Sequence, residues 1–296
     1  MHFVNFLSNK IKNLLGIIKL SRDINDLKLM SGKQLSKYNH NIKSNDINDY
    51  EFKVFSQFGE DGIIQYLVEK LKIKNKTFVE FGVENYEESN TRFLLENNNW
   101  KGLIIDSSQK NINYIKNQSY FWRNEIMVEN SFIDKENINE TISKNKFAGE
   151  IGLLSIDIDG NDYWIWDAIN VIDPIIVICE FNARLGYEQA LSIPYNKDFD
   201  RTKKHYSNIY YGASLNALYK LGKKKNYVLL GTNKNGNNAF FIKKEVQEKF
   251  SIESKTPKEC YHKNSFSEFR NQSGNLIKKG YDFEKKIIDE LDFTEV

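Results

Sequence analysis

Three carboxylates and a side-chain amide crowd into residues 155–162, Ser-Ile-Asp-Ile-Asp-Gly-Asn-Asp, directly behind the apolar run at 151–154. If a strand runs through them, alternation puts Asp157 and Asp159 on one side and Ile156 and Ile158 on the other. Two carboxylates that close repel unless a cation, a proton or an amine sits between them. Gly160 permits a tight turn, and Asn161 or Asp162 could cap a following helix, a role worth about 1 kcal/mol. A metal site, the edge of an active site and a polar turn all remain open for this stretch.

Polar groups recur at the ends of other apolar runs. Glu80 and Gly82 close the run at 77–83, and Gly82 lets the backbone approach a ligand. Asp106, with Ser107, closes the next run. It follows Gly82 by about the 20 residues at which an acid can accept hydrogen bonds from the ribose hydroxyls of an adenosine ligand. Glu129, Asn130 and Ser131 end a third run, and Glu180 and Asn182 a fifth. The G-x-G-x-x-G phosphate fingerprint is absent, and Glu84 and Glu87 would repel a pyrophosphate. An adenosine ligand without phosphates fits better, which favours S-adenosylmethionine over NAD.

A long insertion at 183–214 should overhang these ends. It carries Arg184, Lys197, Arg201, Lys203, Lys204 and His205, with Tyr195, Tyr206, Tyr210 and Tyr211. Aromatic faces suit sugars or bases, and cations suit phosphates, so a nucleotide-linked or phosphorylated sugar fits; so does a solvated basic loop. His205 is a candidate base because its pKa is near neutral.

The elements that must position these residues alternate. Apolar, strand-like runs at 77–83, 101–108, 125–133, 151–159 and 173–182 are separated by helical patterns at 89–99, 137–145 and elsewhere. Fully apolar strands in β-then-α units predict an α/β fold: a Rossmann-like, mostly parallel seven-stranded sheet with helices on both faces. The runs at 227–233 and 238–245 read as a closing pair that adds an antiparallel edge strand. In such sheets ligands bind outside the carboxyl ends of the strands, where the acids gather. The organisation expected is an amphipathic helix and linker arm over 1–50, a catalytic domain over 51–245 and a charged extension over 246–296.

The 296 residues are 40% hydrophobic and 14% aromatic, enough for a sizeable core. A net charge of +2 from 42 basic and 40 acidic residues gives no support for nucleic-acid binding. Cys179 and Cys260 lack metal spacing, so a reducing cytoplasm is the simplest reading. Phe3, Leu7, Ile11, Leu14 and Ile18 recur at helical spacing. This helix should pack on the body or a second subunit, or lie peripherally on a membrane.

"VEFGVENYEESNTRFLLENNNWKGLIIDSS", "LLSIDIDGNDYWIWDAI" and "VICEFN" together resemble the class I S-adenosylmethionine-dependent methyltransferases. "SQFGEDG" and "YYGASLNAL…NAFFIKKE" are similar to their FkbM-like branch, often found among genes for surface glycans and natural products. The resemblance spans roughly 52–245. It implies Glu80 and Gly82 at the methionine end of the cofactor, Asp106 at the ribose, and Glu129, Asn130 and Ser131 near the adenine. Gln57 and Asp61 would line the same pocket. Some O-methyltransferases of this class bind a divalent cation at the ends of strands four and five. Here Asp157 or Asp159, with Glu180 and Asn182, would supply oxygen ligands for Mg²⁺ or Mn²⁺, and the metal would lower the pKa of a substrate hydroxyl. Without metal, Asp159 would act as general base for a hydroxyl or contact the cofactor's amine, with Asp157 a further catalytic and cofactor-binding candidate. The first loop departs from the pattern by holding a single glycine. The implied reaction is O-methylation of a small, sugar-derived acceptor; methylation of nitrogen or of a phospho-type acceptor, and a non-catalytic cofactor-binding partner, are the alternatives.

Overall fold

The computed structural model describes residues 7, 8, 10, 11 and 16–296. Strands β1 (Thr77–Phe81), β2 (Lys101–Asp106), β3 (Ile126–Asn130), β4 (Gly149–Ile156), β5 (Ile172–Glu180), β7 (Tyr227–Thr232) and β8 (Asn238–Lys243) build one seven-stranded sheet, ordered β3-β2-β1-β4-β5-β8-β7. The expected α/β sheet is therefore present. Its antiparallel member, β8, is inserted between β5 and β7 and so does not form the edge.

Strand alternation divides the core in two. Val79, Phe81, Leu103, Ile105, Leu154, Ile156, Val177 and Cys179 face one apolar cluster; Phe78, Ile104, Leu153, Ile176 and Ile178 face the other. Helices cover both clusters, which is why these strands carry no polar side. Helix α1 (Ile17–Asn39) precedes the sheet, α2 (Glu60–Lys70) leads into β1, α3 (Arg92–Asn98) into β2, and α4 (Gln109–Lys116) follows β2. Helices α5 (Ile138–Lys144), α6 (Asp162–Ala168) and α7 (Leu215–Lys224) continue the pattern, and α8 (Tyr281–Ile288) lies near the end of the chain.

Residues 21–50, expected as a polar linker, instead belong largely to the 23-residue α1. Its packed face is nearly featureless in sequence. Gly32 sits where a Cβ would strike Val54 and Phe93, Leu29 packs on Phe52, Val54, Phe55 and Phe93, and Asn39 donates to the Tyr50 carbonyl at 2.7 Å. Much of the amphipathic helix expected over 3–18 lies outside the described residues. Among the described residues no helix is long and apolar enough to cross a membrane.

The C-terminal residues fold back over the insertion. Ile288 and Phe269 join Leu185 and Ile209 in a small apolar cluster, and β9 (Thr294–Glu295) pairs with β6 (Leu191–Ser192). Glu284 on α8 forms a buried ion pair with Arg184, both side chains 1% exposed.

Candidate functional site

A cavity of about 660 Å³ opens where β1, β4 and β5 end, and a smaller one of about 160 Å³ adjoins it at the end of β2. Of the residues singled out in the sequence, Gln57, Glu80, Gly82, Ser107, Asp157, Asp159 and Glu180 line the larger space. Asp106, Ser107 and Ser131 line the smaller. Asp106 is held by the Ser108 N–H at 2.8 Å and the Asn111 amide at 3.3 Å, and burial raises its pKa against those bonds.

Five expected residues serve other purposes. Asp61 is buried beneath the loop before α2, where one of its oxygens accepts the N–H groups of Val54, Phe55 and Ser56 at 2.7–2.8 Å. Glu129 turns to Lys144 and Asn145. The Asn130 amide donates to the Asp106 carbonyl at 3.0 Å. Asn182, expected among the metal ligands, has its side chain engaged with the backbone: it donates to the Ile209 and Tyr211 carbonyls and accepts from the Arg184 N–H. His205 bonds Ser207 outside the cavity lining, and burial lowers its pKa. Glu80 reaches the cavity wall, but its oxygens are taken by Ser89 at 2.6 Å, the Asn90 N–H at 2.9 Å and Thr91. Gly82 is required by φ +70° and by the Asp157 carbonyl, which lies 1.6 Å from where a Cβ would stand. The neighbour that excludes a side chain there is the backbone just past the end of β4.

The tip of β4 rearranges the expected acids. The strand ends at Ile156, and Asp159 adopts φ +57°, so simple alternation stops before it. Asp159 swings out to pair with Arg201. Asp162 turns back beneath the loop, its two oxygens accepting the Ile158 N–H at 2.8 Å and the Gly160 N–H at 3.0 Å. The carboxylates that converge are Asp157, Asp162 and Glu180, with one ligand atom from each within 4.8 Å of the others. Burial, then the charges of Asp159 and Asp162, push Asp157 well above the usual carboxylate range. Burial, then Asp157, does the same to Glu180. Asp162 is pushed up to about 6 by burial, against the pull of its two N–H donors. Oε2 of Glu180 is buried without a hydrogen-bond partner. A buried acid in that condition needs a proton, a metal or a ligand.

Of the insertion's cations, only Arg201 lines the cavity. Arg184 is consumed by Glu284, Lys197 pairs with Asp134 at 3.1 Å, and Lys203 pairs with Asp200 at 2.6 Å. The walls are otherwise acidic, with Glu84, Glu88 and Glu268 added to the carboxylates already named. Burial raises the pKa of Glu84, as do the neighbouring charges of Asp159, Asp106, Glu268 and Glu88.

Several lining residues escaped the sequence reading. Phe132 is 51% exposed and faces both cavities. An exposed aromatic just past a strand end was its only signal. Phe266 and Glu268 arrive from the C-terminal segment, Phe266 packing on Phe58 with ring centroids 5.1 Å apart. Nothing local in the sequence places that segment over the site.

No family model and no curated protein matches the chain. Its shape is similar to several solved structures. The N-terminal domain of EvdMO1 with SAH bound shares 8% identity over 64% of this chain and 80% of that one, at a TM-score of 0.42. A S-adenosylmethionine-dependent methyltransferase from Clostridium acetobutylicum ATCC 824 shares 12% over 62% and 90%, at 0.40. The O-methyltransferase from Bacillus cereus in complex with SAH shares 14% over 73% and 89%, at 0.39. At these TM-scores the likenesses carry no argument about activity or ligand.

Proposed function

We propose that the chain is an S-adenosylmethionine-dependent O-methyltransferase acting on a small, sugar-derived hydroxyl compound. The observation that carries this reading is the joined cavity at the strand ends: acidic walls, no phosphate cradle, and Asp106 at the end of β2. The residues fit an adenosine ligand bearing positive charge and no phosphate. Asp106 would accept the ribose hydroxyls, Phe132 would cover the adenine beside Ser131, and Glu84 would face the amino group. When bound, S-adenosylmethionine supplies a methyl carbon activated by its sulfonium. The protein's work is then to align the acceptor oxygen in line with that carbon and to remove its proton. Asp157, on the wall between the two spaces, would take the proton as the oxygen–carbon bond forms and the carbon–sulfur bond breaks, and burial with the charges of Asp159 and Asp162 raises its affinity for that proton.

A second reading rests on the convergence of Asp157, Asp162 and Glu180 together with the orphaned Glu180 Oε2. An all-oxygen set suits a hard cation such as Mg²⁺ or Mn²⁺, which would polarise the acceptor hydroxyl where it bound. The motif resemblance to the FkbM-like branch supports a product that enters a surface glycan, such as a capsular polysaccharide. The two buried free cysteines support a cytoplasmic setting. Calorimetry with S-adenosylhomocysteine tests the core claim, and absence of binding would refute it. A labelled-methyl assay over sugars, run with and without EDTA, separates the two chemistries: turnover indifferent to chelation removes the metal.

A further inference from the structure

The acids around the cavity outnumber its cations, and the one cation in the wall is already spent. Nε of Arg201 donates to the Asn208 carbonyl at 2.7 Å, one terminal nitrogen pairs with Asp159 and the other with Glu268 at 2.8 Å. The guanidinium also lies 4.0 Å from the Tyr211 ring centroid, and its side chain is only 10% exposed. A phosphate is bound by a free guanidinium fork, an ammonium or unpaired backbone N–H groups. The fork is occupied on both prongs, the Lys53 and Lys203 ammoniums pair with Glu88 and Asp200, and the Lys204 ammonium, which does not line the cavity, lies 5.9 Å from the Phe199 ring centroid. An incoming phosphate would meet Glu84, Glu268, Asp157 and Glu180 with no free cation in the lining itself.

We propose that Arg201, locked between Asp159 and Glu268, makes this a cavity for acceptors without negative charge, neutral polyols or amines, and that it turns away phosphorylated and nucleotide-linked sugars. The lock joins three separate segments: the β4 tip, the insertion and the C-terminal residues. Its two carboxylates therefore set specificity as well as shape. The inference deepens the methyl-transfer reading and rests on it.

The test uses glucose 1-phosphate and uridine diphosphate as probes, titrated calorimetrically into protein saturated with S-adenosylhomocysteine. The comparison is between the natural protein and the double variant Asp159→Ala, Glu268→Ala, which removes both partners and frees the fork. The expected result is no measurable binding to the natural protein and at least tenfold tighter binding to the variant. Natural protein that binds either probe as tightly as the variant overturns the inference, and so does a variant that keeps its melting temperature and gains nothing. If the double variant melts early, the single Glu268→Ala carries the same comparison, because that side chain is 46% exposed. The preliminary S-adenosylhomocysteine titration keeps the two claims apart. Failure to bind it sinks the methyl-donor reading, whereas its binding followed by phosphate binding sinks only the specificity claim.

Discussion

Replacing Glu180 by Gln should make the protein more stable and less active, and the stability gain should grow with pH. The side chain is 6% exposed and one of its oxygens has no partner, while burial and then Asp157 raise its pKa well above its ordinary 4.5. A carboxyl with a raised folded pKa binds protons more readily folded than unfolded. The stability it contributes is fully present below the unfolded value and is lost as pH rises towards the folded one. Each pH unit in that window costs about 1.4 kcal/mol. For a chain of this size each such unit corresponds to about 3–6 °C in melting temperature. The amide keeps the shape, carries no charge and can donate to Asp157, so it escapes this loss. Melting curves of both proteins in EDTA should nearly coincide at about pH 4.5 and diverge by several degrees at about pH 7.5. Methyl transfer by the variant should fall about a hundredfold or more if the pair handles the acceptor's proton. A melting difference that is flat with pH, or a variant less stable at the higher pH, would refute the account of Glu180 as an uncompensated buried acid.

Other perturbations probe separate parts of the structure. Asp106→Ala should weaken S-adenosylhomocysteine binding by about tenfold to a hundredfold; unchanged affinity by calorimetry would count against the placement of the ribose at β2. Glu284→Ala leaves Arg184 buried and unpaired and should cost about 3–5 kcal/mol, read as an earlier denaturation midpoint. Gly82→Ala forces a left-handed φ on a residue whose Cβ meets the Asp157 carbonyl; it should cost roughly 3 kcal/mol or more, and a variant as stable as the natural protein would contradict the close approach of β1 and β4. With millimolar Mg²⁺ in place of EDTA, the melting temperature rises if the three converging carboxylates hold a cation and stays put if they share a proton.

What the sequence made legible was set by period and by local rules. Apolar runs such as 101–106 and 172–180 are buried on both faces, so their composition announces a covered parallel sheet, and a strand end announces where acids will gather. Helix α1 was illegible for the opposite reason: it docks through Gly32, Ser36 and Leu29, while its apolar residues at helical spacing, Leu20, Ile24 and Leu27, stay exposed. Arg201 could be seen as a cation but not as a spent one, because Glu268, which occupies it, arrives from 67 positions further along the chain.

The most consequential departure turns on one backbone angle. Alternation along β4 assigns Asp157 and Asp159 to a single face, and that assignment would hold if the strand ran to 159. It stops at Ile156, where Gly82, just past β1, packs against the Asp157 carbonyl, and Asp159 then enters the left-handed region that Asp tolerates better than most residues. The turn trades one acid for another. Asp159 leaves to lock Arg201, and Asp162, anchored by the Ile158 and Gly160 N–H groups, comes in beside Asp157 and Glu180. Four carboxylates thus divide into Asp159, paired with Arg201 in the proposed screen for the acceptor, and the converging set Asp157, Asp162 and Glu180, which would hold its proton. That division predicts separable phenotypes. Asp159→Asn should alter which acceptors are taken and, by removing a neighbouring negative charge, move the ionisation seen in methyl transfer to lower pH without abolishing it, whereas Asp157→Asn should abolish that dependence together with most of the rate. A pH–rate profile for each variant checks it, and an Asp159→Asn profile that loses the same ionisation as Asp157→Asn would collapse the two roles into one.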